Sequence, residues 1–167
     1  MSNSERTRQR IESGIQLVTF RLGTENYGVP VSKIREIIRP MKTFPVPGLS
    51  DPVDGVINLR GEIIPVVRMH PVLGVDTSAC LEDERKERVI ILDTESGGFG
   101  FLVDEVWEVV KVSAADVKPP PAMGEDGLDE DAVIGIVEVS GKMVICVEPR
   151  HLIKDLLHSG SLAIECT

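Results

Sequence analysis

The chain has 167 residues, of which 42% are apolar and only 4% aromatic, and it carries a formal net charge of -9. That length suits one compact domain or two small halves packed together, with enough apolar side chain to form a core without staples, so a disordered chain is excluded. The acidity argues against a nucleic-acid footprint and against attraction to an anionic bilayer.

The polar stretch Met1 to Ser13 has no apolar h-region, and nothing approaches the ~18 consecutive apolar residues of a membrane span. A cytoplasmic protein with no direct membrane insertion is expected, and residues 1–14 and 159–167 read as flexible tails around one domain over 15–157.

The apolar residues are mainly Val, Ile and Leu, a bias toward strands. Gln16–Leu22 alternates, with Val18, Phe20 and Leu22 on one face and Leu17, Thr19 and Arg21 on a second, half-exposed face. Gly23 to Asn26 reads as a hairpin connection, Tyr27–Val29 as the returning strand, and Pro30 as its end. Ser32 is placed to cap one helical turn before a third strand at Ile37 and Ile38. A loop punctuated by Pro40, Pro45, Pro47 and Pro52 leads to Val53–Leu59 and Glu62–Val67, paired across Arg60-Gly61. A short segment follows at His70–Leu73. The later strands are Val89–Thr94, Gly98–Val103, Glu105–Val112, Val133–Val139 and Lys142–Val147, and Pro149–Leu157 carries the apolar stripe of a final helix.

The chain also repeats itself. Residues 17–38 match 89–110 at a constant offset of 72, which sets Tyr27 on Phe99, Gly28 on Gly100, Arg35 on Trp107 and Glu36 on Glu108. Residues 55–67 match 135–147 at an offset of 80, and the extra eight residues fit a longer loop at Pro119 to Asp131. Two copies are too few for a solenoid and suit two similar halves. Short strands and tight hairpins indicate small closed barrels, which leave no long open edge. The fold expected is mainly β: two SH3-like five-stranded barrels packed around a groove, one from residues 15–75 and one from 85–157, with short helices and a C-terminal helix.

No nucleophile elbow, zinc-ligand pair or phosphate loop occurs, so the reading is no enzyme, no cofactor and no metal. The cysteines, at 80, 146 and 166, form no framework; Cys146 reads as a small core residue, and the three histidines as solvated. The clearest functional signal is a place where the repeats disagree: Arg60-Gly61 corresponds to Ser140-Gly141. The glycine serves the turn, whereas Arg60 is a long cation on an exposed tip and is read either as a solubilising surface residue or as a partner contact. Trp107, opposite Arg35 in the repeat, is either an outward-facing anchor or a core residue.

These blocks resemble the CheW-like family of chemotaxis coupling proteins. The resemblance rests on Gln16 to Val29, on Ser32 to Pro40, most specifically on Gly55-Val-Ile-Asn-Leu-Arg-Gly61 with Ile63 to Val66, and on Val103 to Val106 and Pro119 to Pro121. It implies an adaptor that binds the cytoplasmic tip of methyl-accepting chemotaxis receptors and the regulatory domain of a CheA-type histidine kinase, and that is recruited to membrane receptor arrays. By the same resemblance Ile34, Glu36, Gly55, Arg60 and Gly61 lie near partner contacts, with the glycines more concerned with shaping turns. Two departures stand out. Pro30 occupies a position often acidic in the family, and Val67-Arg68-Met69-His70-Pro71 replaces the usual Asp-Leu-Arg continuation, which predicts a remodelled end to the first barrel. Two alternatives stay open: a CheW-like adaptor in a non-chemotaxis kinase pathway, such as pilus motility or gene regulation, and a small-molecule binder or enzyme using the inter-barrel groove.

Overall fold

The computed structural model describes residues 14–48, 53–72, 84–94, 97–119, 133–149 and 151. Eleven strands occur among them: β1 (Ile15–Leu22), β2 (Glu25–Pro30), β3 (Ile34–Ile38), β4 (Val53–Leu59), β5 (Glu62–Arg68), β6 (Arg88–Thr94), β7 (Gly97–Val103), β8 (Glu105–Val112), β9 (Val117–Lys118), β10 (Val133–Val139) and β11 (Lys142–Val147). Most strands fall close to where alternation and turn residues put them, but β3 begins at Ile34 rather than at Ile37, and the short β9 is an addition to the expected set. One helical turn precedes β3, over Val31–Lys33, but Ser32 lies inside it rather than capping it: the flanking residue is Pro30 and no side chain caps the turn. The expected final helix lies outside the described residues except for Pro149 and His151, as do the expected tails apart from Gly14.

The strands form two sheets, ordered β3-β6-β7-β5-β4 and β8-β1-β2-β11-β10-β9. In each, the chain passes directly from one edge strand to the other edge, so the sheet curls shut. Phe44, beyond β3, bridges Val56 of β4 through two backbone hydrogen bonds of 2.8 and 3.0 Å. In the second sheet β8 continues through a turn at Ala114–Asp116 into β9, which pairs with β10. The five-stranded barrel is called barrel one below, and its counterpart barrel two.

The barrels do not follow the halves of the chain. Hairpin β1-β2 belongs to barrel two, where β1 pairs with β8 and β2 runs parallel to β11. Hairpin β6-β7 belongs to barrel one, paired with β3 and, in parallel, with β5. The expected division into residues 15–75 and 85–157 is therefore corrected: each half lends its first hairpin to the other. The repeat shows which segments are alike but carries no information on which of two equivalent edges a hairpin joins. Both exchanges keep one register, Cys146 opposite Gly28 and Val66 opposite Gly100.

This exchange makes three cores. Ile57, Leu59, Ile64, Val66, Val89 and Ile91 fill barrel one. Leu17, Val112, Ile134, Val137, Val144 and Cys146 fill barrel two. The largest cluster lies between them and includes Phe20, Leu22, Tyr27, Leu92, Phe99 and Phe101. Full burial of each such large side chain contributes roughly 1.5–3 kcal/mol. β1 is thus buried on both faces, not one: Phe20 enters the seam while Leu17 and Thr19 enter the barrel, with Thr19 Oγ1 donating to the Glu108 carbonyl at 2.9 Å. Cys146 is fully buried, as its apolar neighbours in sequence imply, and that burial pushes its thiol up to about 12.

The histidine reading needs a correction. His70 is only 7% exposed, and its Nε2 lies 2.9 Å from Asp104 Oδ1. Asp104 also accepts the Gly23 N–H at 2.7 Å and stands 3.8 Å from Arg21. The helical turn Met69–Val72, directly after β5, carries His70 into this polar seam between the hairpin turns. His151 is half-buried, and His158 lies outside the described residues.

Candidate functional site

The site grows out of one tight turn. Asn58-Leu59-Arg60-Gly61-Glu62 reverses the chain in two residues, both left-handed: Arg60 at φ 52° and Gly61 at φ 89°. Such turns match the twist of a hairpin, and Asn or Gly fits them best. An Arg in this conformation costs about 1 kcal/mol. Asn58 Oδ1 holds the turn by accepting the Gly61 N–H at 2.8 Å.

From the tip the Arg60 guanidinium reaches β3 and pairs with Glu36. The Arg60 side chain is 71% exposed and that of Glu36 26%, so the pair presents its cation outward. Beside it Arg35 lies between Glu62 and Asp93, its Nε donating to Asp93 Oδ1 at 2.7 Å. A bulge in β3 makes this possible. Ile34 faces Leu92 and Glu36 faces Ile91, which leaves Arg35 as the extra residue turned to the surface. Five charged side chains, from three strands and the β4-β5 turn, are thereby laced across the mouth of barrel one. Next to them Ile37 and Ile63 are exposed at 38% and 55%, an apolar flank to a charged centre.

The electrostatics follow from the pairing. The guanidinium of Arg60 holds the Glu36 carboxyl below its ordinary 4.5, and Arg35 does the same for Glu62, ordinarily 4.5, and Asp93, ordinarily 3.8. For carboxylates lowered in the folded state, the pairing is complete above the ordinary value and lost as pH falls through the lower, folded one. The cluster is therefore intact at neutral pH and opens only in acid, and being exposed it adds little to stability. A carboxyl NMR titration should place the Glu36 midpoint below 4.5 and move it upward in Arg60→Asn; equal midpoints would show that the pair does not form in solution.

The structure gathers Glu36, Arg60 and Gly61 at this mouth and places the other sequence candidates elsewhere. Ile34 is half-buried and packs against the core between the barrels. Gly55 lies within β4, not in a turn, where the closing segment crosses: a Cβ there would sit 2.7 Å from the Phe44 carbonyl oxygen. Trp107 is on barrel two, 41% exposed, and so takes the outward of its two readings. Its indole N–H donates to Asn26 Oδ1 at 2.9 Å, and Lys142 Nζ lies 4.1 Å from the ring centroid. Arg35, Asn58, Glu62 and Asp93 were not singled out by sequence. The repeat held a signal for Arg35, since it shares the bulge position of Trp107, but nothing in sequence joins it to Glu62 and Asp93.

Among the described residues no group of three potential metal ligands occurs, and no helix is long and apolar enough to cross a membrane. Among the described residues the cluster between the barrels is apolar, and the polar group of Arg21, His70 and Asp104 is paired within itself.

Comparison with known proteins identifies relatives of the whole fold. The family model described as a CheW-like domain matches residues 16–157. The chain is 33% identical over 139 residues to the chemotaxis protein CheW of Treponema pallidum, covering 82% of this chain and 81% of the relative. It is 31% identical over 135 residues to the chemotaxis protein CheW of Rhizobium meliloti, covering 81% and 84%. Among solved structures, the scaffolding protein TtCheW from Thermoanaerobacter tengcongensis superposes with a TM-score of 0.73 at 28% identity, covering 83% of this chain and 87% of that one.

Proposed function

The chain belongs to the CheW-like family, and from that premise we propose that it is a chemotaxis adaptor, with no chemistry of its own, that couples methyl-accepting chemoreceptors to a CheA-type histidine kinase. The observation that carries this reading is the mouth of barrel one: an outward guanidinium, held by Glu36 on a left-handed turn and flanked by exposed Ile37 and Ile63, is built for recognition. Nothing at that mouth is arranged as nucleophile and base.

The mechanism is thermodynamic. An adaptor that binds both receptor tip and kinase regulatory domain passes a conformational bias from one to the other in proportion to its differential affinity for their states. Two similar barrels suit two partners, because each exposes an apolar pair at equivalent positions: Ile37 and Ile63 on one, Val109 and Met143 on the other. Recruitment to membrane arrays then comes from the receptor. Co-sedimentation of the protein with receptor-containing membranes, with and without kinase, tests the reading. Kinase should pellet with the membranes only when the adaptor is present; kinase recruitment that ignores the adaptor would overturn it.

A further inference from the structure

The two barrel mouths are built alike and finished differently. By the repeat, Trp107 stands for Arg35, Glu108 for Glu36, Ser140 for Arg60 and Lys142 for Glu62. The backbone agrees: Ser140 sits at φ 50°, against 52° for Arg60. The bulge recurs too, since Phe20 faces Val106 and Val18 faces Val109, which turns Trp107 outward as Arg35 is turned. In barrel one the tip cation covers Glu36. In barrel two the tip is a serine, too short to reach, and Glu108 is exposed with no ion pair to any described residue. What barrel one fills with charge is open in barrel two. A cavity of about 300 Å³ remains, lined by Thr19, Asn26, Trp107, Glu108, Ser140 and Lys142.

We propose that this mouth binds an arginine side chain of a partner protein, which supplies in trans the guanidinium that barrel one carries as Arg60. The chemistry matches at three points. The planar guanidinium can fork onto the Glu108 carboxylate, as Arg groups do with carboxylates. Its flat face can lie on the Trp107 indole, whose orientation is fixed by the bond to Asn26, and Lys142 already shows that a cation settles against this ring. The volume leaves room for one long side chain. The net charge of -9 favours a basic partner in the encounter. Lys142, a long exposed side chain at the start of β11, gives way when the arginine enters.

The chain holds a single Trp, so its indole N–H gives one resonance and one fluorescence signal. The intact protein would be titrated with a blocked Gly-Arg-Gly peptide and with the same peptide carrying citrulline or glutamate instead. Arginine should shift the indole resonance saturably, with citrulline about tenfold weaker because it lacks the charge. Glu108→Gln should abolish the arginine shift while the remaining amide spectrum stays native. Ser140→Arg should mimic the bound position of the indole without peptide, as Arg60 does for its own barrel. An indole that ignores arginine, responds equally to citrulline, prefers glutamate, or still shifts in Glu108→Gln would overturn the proposal.

Discussion

Replacing Arg60 with glutamate is expected to weaken binding to the receptor tip or to the kinase regulatory domain by about thirtyfold or more, the loss typical of an interface hot spot, while the protein stays folded. The side chain is 71% exposed and its pair with Glu36 is solvent-screened, so the fold does not depend on it. Charge reversal does two things at once: it removes the outward cation and sets a like charge against Glu36. Arg60→Asn separates them, because asparagine accepts the left-handed turn and merely deletes the guanidinium. That variant should bind almost as poorly as Arg60→Glu and should be slightly more stable than the parent, through relief of the turn. Exchanging the charges, with Arg60→Glu and Glu36→Arg together, restores the pair but moves the cation off the tip. Binding that recovers would mean the pair matters as a brace; binding that stays lost would mean the guanidinium itself meets the partner. Affinities of Arg60→Glu equal to the parent for both partners would remove this residue from the interface.

Gly55→Ala is expected to cost about 3 kcal/mol of unfolding free energy, combining left-handed strain with overpacking. Gly55 sits at φ 150°, and an added Cβ would come within 2.7 Å of the Phe44 carbonyl oxygen, a backbone atom that itself accepts the Val56 N–H. Relief requires the closing segment to lift, which opens barrel one at its only non-sheet seam among the described residues. Barrel two has the same arrangement: a Cβ on Gly135 would meet the Val117 side chain at 2.5 Å and the Lys118 carbonyl oxygen at 2.8 Å. Gly61→Ala is the control, since nothing lies within 4 Å and only its φ of 89° is at issue. It should lose about 1 kcal/mol. Urea unfolding of the two variants separates the two causes. If Gly55→Ala loses no more than Gly61→Ala, close approach at the barrel seam is not what holds glycine there.

Much of the architecture is legible in the sequence. Strand positions followed from alternation and from Gly-Thr-Glu-Asn, Arg-Gly and Ser-Gly turns, because those signals are local. Arg60 stood out because two copies of one hairpin could be laid side by side and differed at the tip. Glu36 came through resemblance alone, and its pairing with Arg60 is 24 residues away in sequence, beyond what spacing can express. The histidine reading failed for a similar reason. His70 lies among apolar neighbours, Met69 and Val72, but its partner Asp104 is 34 residues distant and nothing local announces the pairing.

By itself, then, the sequence determined the strands, the duplicated scaffold, the family and the one tip where the copies part. Only the tertiary structure decided that the halves exchange their first hairpins, that Gly55 serves a barrel seam rather than a turn, and that Arg35 and Trp107 are twin bulge residues finishing two mouths in opposite ways. The physical reason is the same in each case. Alternation, turn chemistry and repetition are written in neighbouring residues, whereas edge pairing, barrel closure and charge lacing join segments whose separation along the chain leaves no local mark.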